Sequence, residues 1–131
     1  MACVVKINIY DDPSSAAPTL SLPDVPWFAG ITVLQAMVIG EAMNAANFTF
    51  RAEYRSIYGA QIDQIDGVTD GTPPSHFWML WINGSESQVG ASEAILIEDI
   101  TNPVATVDWK FTDMSAASAH PLVVAKTADI Q

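Results

Sequence analysis

The residues of this chain best suited to chemistry are a histidine, a few carboxylates and a dense aromatic strand. His76 follows Pro73-Pro74-Ser75 at the entrance to the run His76-Phe77-Trp78-Met79-Leu80-Trp81-Ile82. An imidazole titrates near neutral pH, so His76 suits acid–base catalysis or metal ligation, or simply a core-edge position. Paired with a carboxylate such as Glu41 inside an apolar cavity, it would suffice for a cofactor-free isomerase, lyase or cyclase. His120 is the only other histidine and lies in the C-terminal tail.

The strand itself offers a second chemistry. With a period of two, His76, Trp78, Leu80 and Ile82 share one face, and Phe77, Met79 and Trp81 share the other. A sheet covered by one helix has core on one side only. The opposite face then meets solvent, a partner or a ligand, and Tyr54 and Tyr58 can join it. Aromatics with polar edges plus adaptable methionine suit planar or greasy small molecules. The expected ligand set is therefore Tyr54, Tyr58, His76, Trp78, Met79 and Trp81. Burial of both faces, by an added strand or by a homodimer, is the competing reading.

Other motifs carry less. Asp63, Asp66 and Asp70 with Gly67 and Gly71 lack the alternating ligands and closing Glu of a calcium loop and read as solvated turn carboxylates. Arg51 and Arg55 share a strand face with Glu53, which favours cross-strand ion pairs over a ligand carboxylate. Asn47-Phe48-Thr49 and Asn83-Gly84-Ser85 match glycosylation acceptors, but Asn83-Gly84 is better placed as a hairpin turn. The sequence has no nucleophile elbow, phosphate loop or HExxH. Cys3 is the single cysteine, which rules out an intrachain disulfide and a cysteine-based metal site.

Bulk properties narrow the classes further. The chain has 131 residues, the size of one domain, and half of them are apolar. Fifteen acidic against five basic side chains give a formal net charge of −10. Lys6, Arg51, Arg55, Lys110 and Lys126 form no cluster, which argues against nucleic acid and anionic membrane as partners. No apolar run approaches the ~18 residues that span a bilayer. Positive mean hydropathy with few charges favours self-association, so a homodimer is expected. The N-terminus lacks the pattern of a signal peptide, which as written predicts a cytoplasmic chain.

The elements that must position these residues are one helix and several strands. Val4 to Tyr10 reads as a strand. Prolines 18, 23 and 26 predict an extended, irregular stretch up to Trp27-Phe28. Thr32 to Gln35 fits a capping box, opening a helix to about residue 46 with a stripe of Leu34, Met37, Val38, Glu41, Ala42 and Ala45. Gly40 within it would permit close packing on a sheet. Phe48 to Arg55 alternates as a strand, 60–65 reads as a short irregular segment, and His76 to Ile82 closes on Asn83-Gly84. Ala94 to Ile97 and Val104 to Phe111 are two further strands, and Leu122 to Ala125 is an apolar run in the 112–131 tail. One helix amid strands predicts a single α+β domain, the helix packed on a mainly antiparallel or mixed sheet.

Ordered along the chain, Ile31 to Met37, Tyr58-Gly59, Ile65-Asp66-Gly67-Val68, Trp78 to Gly84, Gly90-Ala91-Ser92 and Val107 to Phe111 resemble the transcobalamin C-terminal-domain-like family. The similarity covers about residues 27–111 and is most specific at the tryptophan–Asn-Gly strand and its Gly-Ala-Ser. It implies a β-grasp fold and a ligand-facing role, with a cobalamin-like or other tetrapyrrole ligand. No cofactor is required by the residues themselves. Many members of the family are extracellular. Two departures stand out: Glu98 to Pro103 replaces the family's Gly-Asp turn, and the sequence as written is expected to act without the helical partner domain that holds the rest of a corrinoid.

Overall fold

The computed structural model describes residues 3–12, 14–44, 47–97, 103–115 and Lys126. Ala45, the turn at 98–102, His120, the 122–125 run and the side chain of Arg55 lie outside these residues. The described elements are β1 (Val4–Tyr10), β2 (Leu20–Pro26), α1 (Val33–Met43), β3 (Phe50–Ser56), β4 (Gly59–Ile65), β5 (Val68–Thr69), β6 (His76–Ile82), β7 (Ser85–Glu86) and β8 (Val104–Asp113). Among them no helix is long and apolar enough to cross a membrane.

The strands form a five-stranded sheet of order β2-β1-β8-β6-β7 and a three-stranded sheet of order β3-β4-β5. β1 and β8 run parallel at the centre of the larger sheet, and every other pairing is antiparallel. One helix on such a mixed sheet is the expected α+β class, with a β-grasp-like arrangement. Alternation explains the core. Val5, Ile7 and Ile9 of β1, Val107, Trp109 and Phe111 of β8, and Trp78 and Leu80 of β6 all bury on one side, under Val33, Ala36 and Met37 of α1.

Three local expectations are corrected. The proline-rich stretch is not irregular: Leu20–Pro26 pairs with β1. Between Val5↔Val25 and Ile7↔Leu22 one residue of β1, Lys6, faces two of β2, Pro23 and Asp24, which sit in that register shift. Proline is tolerated there because β2 is an edge strand. Residues 59–65 likewise form a strand, paired with β3 through two register shifts and buried along nearly its whole length. Ala94 to Ile97, by contrast, forms only an isolated bridge, Thr32↔Ile95.

The helix is capped as expected. Gln35 N–H donates to Thr32 Oγ1 and Thr32 N–H donates to Gln35 Oε1. Its buried stripe, however, is Val33, Ala36, Met37 and Gly40, while Val38 is exposed. Almost every position of VLQAMVIGEAM is apolar, so the pattern marks a helix without fixing its rotation. Gly40 sets the rotation: a Cβ there would lie 3.0 Å from Leu22 Cδ1 and 3.5 Å from Ile7 Cδ1.

The segment 90–96 ties the helix to the three-stranded sheet. Val33 and Leu34 N–H donate to the carbonyls of Ala94 and Ala91, satisfying helix-start donors that have no partner within the helix. Gly90 and Ala91 N–H donate to Tyr58 and Ala60 carbonyls, and Ala60 N–H donates to Ser92 Oγ. A Cβ on Gly90 would lie 2.3 Å from Ala60 O. Chemical denaturation should therefore show Gly90→Ala costing upwards of about 1–3 kcal/mol, since neither side of that contact can yield. Thr32→Ala, which removes only a cap, should cost about 1 kcal/mol.

Candidate functional site

β6 is the element on which most of the expected site residues sit, and its two faces differ. On the inner face Trp78 is 1% exposed, its ring centroid 5.0 Å from that of Phe111 and its indole N–H bonded to Val68 O at 2.8 Å. Trp78 is thus core and presents no surface to a ligand. On the outer face Phe77 and Met79 are also buried, with Tyr58 and Met114 packed against them. Trp81, at the other end of the same face, is only half-buried. Of the expected set, the structure brings Tyr58 and Met79 together. Tyr54 stands on β3 of the other sheet, 75% exposed.

His76 is partly exposed. Its ring packs 5.6 Å from Phe111, and its Nδ1 lies 3.2 Å from Pro74 O. Glu41 Oε2 accepts the N–H of Phe50, and no hydrogen bond or ion pair joins Glu41 to His76. The acid–base couple considered from the sequence is not assembled by direct contact.

The open part of the outer face surrounds Trp81, and the register of three strands builds it. Trp81 lies opposite Asp108 of β8, Asp108 opposite Asn8 of β1, and Asn8 opposite Ser21 of β2. A polar chain follows this row: Ser21 Oγ donates to Asn8 Oδ1 at 2.8 Å, and Asn8 Nδ2 donates to Asp108 Oδ1 at 2.9 Å. One step along β8, Lys110 Nζ sits 4.6 Å from the Trp81 ring centroid and 5.7 Å from that of Tyr10. These are cation–π distances. The face therefore combines two aromatic rings, an ammonium donor and the half-buried Asp108 carboxylate, which the buried Asn8 amide orients. Such a surface suits a planar molecule with polar edges.

Only Trp81 of this constellation stood out in the sequence. Asn8 and Asp108 are 100 residues apart, and nothing local announces that their strands are neighbours. A signal did exist: Lys6, Asn8 and Tyr10 alternate with apolar residues, as do Thr106, Asp108 and Lys110. Two strands with matching polar faces are candidates for one shared surface.

The aspartates differ from expectation. Asp63 is buried and accepts a forked pair of bonds from Arg51, Nε at 3.0 Å to Oδ1 and Nη2 at 3.0 Å to Oδ2. The hydrogen bonds and charge of Asp63 hold the guanidinium pKa above its usual value. This is the expected cross-strand pairing, with Asp63 as the main partner and Glu53 4.0 Å away. Asp66 accepts the N–H of Thr49. Asp70 is buried; its Oδ1 accepts Trp78 N–H at 2.7 Å and its Oδ2 lies 3.0 Å from Lys126 Nζ. Burial pushes the Asp70 carboxyl up, against the pull of Lys126. Two of the three are therefore buried rather than solvated: Arg51 reaches Asp63 across the β3–β4 pair, and Lys126 reaches Asp70 from far along the chain. Among the described residues no cluster of three His, Cys, Asp or Glu converges. A separate open cleft of about 500 Å³ is lined by Thr19, Leu20, Asn47, Phe48, Thr49 and Asp66, none of them in the expected ligand set.

No protein-family model and no curated relative matches the chain. Solved structures do. Haptocorrin in complex with Cbi superposes with a TM-score of 0.67 at 19% identity, over 86% of this chain and 25% of haptocorrin. This chain thus spans about a quarter of that protein. A presumed metal-binding protein from Ruminococcus gnavus superposes with a TM-score of 0.53 at 12% identity, over 83% of this chain and 95% of its own. At these identities the likeness is one of fold, and it is the fold that the resemblance to transcobalamin-type modules implied.

The two tryptophans of β6 should separate cleanly in stability measurements. Trp78→Ala should cost about 3–5 kcal/mol on denaturant unfolding, the price of an emptied core position. Trp81→Ala should stay below about 1 kcal/mol.

Proposed function

We propose that this chain is a binding module for a planar small molecule with an apolar body and polar edges, of tetrapyrrole type, held on the outer face of the five-stranded sheet. The observation that carries the reading is the Lys110 ammonium seated between the Trp81 and Tyr10 rings beside the Asn8–Asp108 pair. A ligand ring displacing or covering that ammonium would stack on Trp81 and offer its acceptors to Lys110 and its donors to Asp108. Met79 is buried beneath Tyr58 and Met114, so a ligand would meet β6 at the half-buried Trp81 rather than along its length. The haptocorrin fold, solved with Cbi, and the transcobalamin-type motifs both favour a corrinoid as the first ligand to test. The catalytic reading through His76 and Glu41 has no comparable observation behind it.

A second reading rests on a different patch. Phe28, Ile95 and Ile97 are 44%, 56% and 78% exposed, and the bonds Ile31 N–H to Phe28 O and Leu96 N–H to Ile31 O bring their segments together. A homodimer or another protein partner would cover such apolar surface. Sedimentation at micromolar concentration, with Ile95→Lys as the control, tests it: a dimer dissociated by the lysine supports the interface.

For the ligand site, equilibrium dialysis against cobalamin should show saturable binding by the intact chain. Trp81→Ala should weaken it tenfold or more, about 1.4 kcal/mol, without unfolding the protein. Lys110→Ala should weaken it by a smaller factor. Equal affinity in the parent and in Trp81→Ala would overturn the assignment of this face.

A further inference from the structure

Lys126 is the most deeply buried basic side chain among the described residues, 1% exposed, and its ammonium meets Asp70 inside the protein. Lysine is almost never buried to this degree, and a charged pair withdrawn from water gains little over a neutral one. The geometry around the pair is that of a reaction as much as of an ion pair. Nζ stands 3.0 Å from Asp70 Oδ2, and among the described residues no other donor reaches that oxygen. The other carboxyl oxygen, Oδ1, already accepts the backbone N–H of Trp78 at 2.7 Å. The carbonyls of Ile62 and Trp78 accept further N–H bonds from Nζ and fix its position.

We propose that Lys126 and Asp70 condense to an isopeptide bond within the folded chain. Transfer of one proton from Nζ to Oδ2 gives the neutral amine and acid, the form that a dry interior favours. Nζ then bonds to Cγ, and the negative charge developing on Oδ1 is met by the Trp78 N–H already aimed at it. The Cγ–Oδ2 bond breaks, and Oδ2 leaves as water with two of the three protons of the original ammonium. The third stays on the amide nitrogen. No electrons change hands and no co-reactant is consumed. Both groups are held in contact by the fold, which replaces the encounter that such a condensation lacks in solution.

The rival chemistry is specific: Asp70 precedes Gly71, and an aspartyl–glycyl imide would lose the same water. Intact mass of the purified full chain under denaturing conditions, followed by proteolytic mapping, distinguishes them. The expected result is a chain lighter by one water that yields a branched peptide joining the segments around Asp70 and Lys126. Lys126→Arg, which keeps the cation but not the nucleophile, should restore the full mass. Full mass in the parent, with Asp70 and Lys126 in separate linear peptides, would overturn the proposal. So would a Lys126→Arg chain that is still light, since that places the lost water in the imide. If Lys126→Arg does not fold, the parent's peptide map alone decides.

Discussion

Everything in this fold depends on the parallel pairing of β1 with β8, seven residues in continuous register from Val4↔Val104 to Tyr10↔Lys110. That pairing joins the first and last described strands and creates both faces of the larger sheet. On its inner face it lays Val5, Ile7 and Ile9 beside Val107, Trp109 and Phe111, the floor on which α1 packs. On its outer face it sets Asn8 against Asp108 and Tyr10 against Lys110, which is how a polar chain and a cation–π cluster arise from residues that are remote in sequence. A slip of one residue would exchange the two faces and put Asp108 and Lys110 into the core. The register is thus held by burial on one side and by the Asn8–Asp108 bond on the other.

β6 is the second strand on which the site relies, and it departs from a simple half-buried pattern. Its inner residues Trp78 and Leu80 enter the main core, while Phe77 and Met79 are buried on the outer side with Tyr58 and Met114. Only toward Trp81 does the outer side open. Burial on both sides holds the strand rigid at one end, and a rigid strand presents its open end with little conformational freedom left to lose on binding.

Much of this could be read from residues alone, and the exceptions have physical causes. The helix start was legible because a capping box is a local device, with donor and acceptor three residues apart. The Asn83-Gly84 turn was legible for the same reason, and both residues adopt positive φ, 49° and 84°. The rotation of α1 was not, because it is decided by contact between Gly40 and Leu22, which lies on another element. Nor was the burial of Asp63 and Asp70: a carboxylate in a Gly-rich turn reads as solvated until Arg51 and Lys126 are brought to it. The candidate face was half legible. Trp81 stood out by type, whereas Asn8, Tyr10, Asp108 and Lys110 acquire meaning only through the β1–β8 pairing.

The prolines of β2 have a consequence for how copies of this molecule can meet. Pro23 and Pro26 lack the N–H groups that a neighbouring strand would need, and they occupy one rim of the five-stranded sheet. Among the described strands the opposite rim is β7, only two residues long. With one border short of donors and the other too short to template a ladder, the large sheet is poorly suited to growing sideways into a continuous sheet with a second copy. Association would then proceed through side chains on its surfaces, a mode that can saturate and reverse, rather than through backbone pairing of the kind that propagates into fibres.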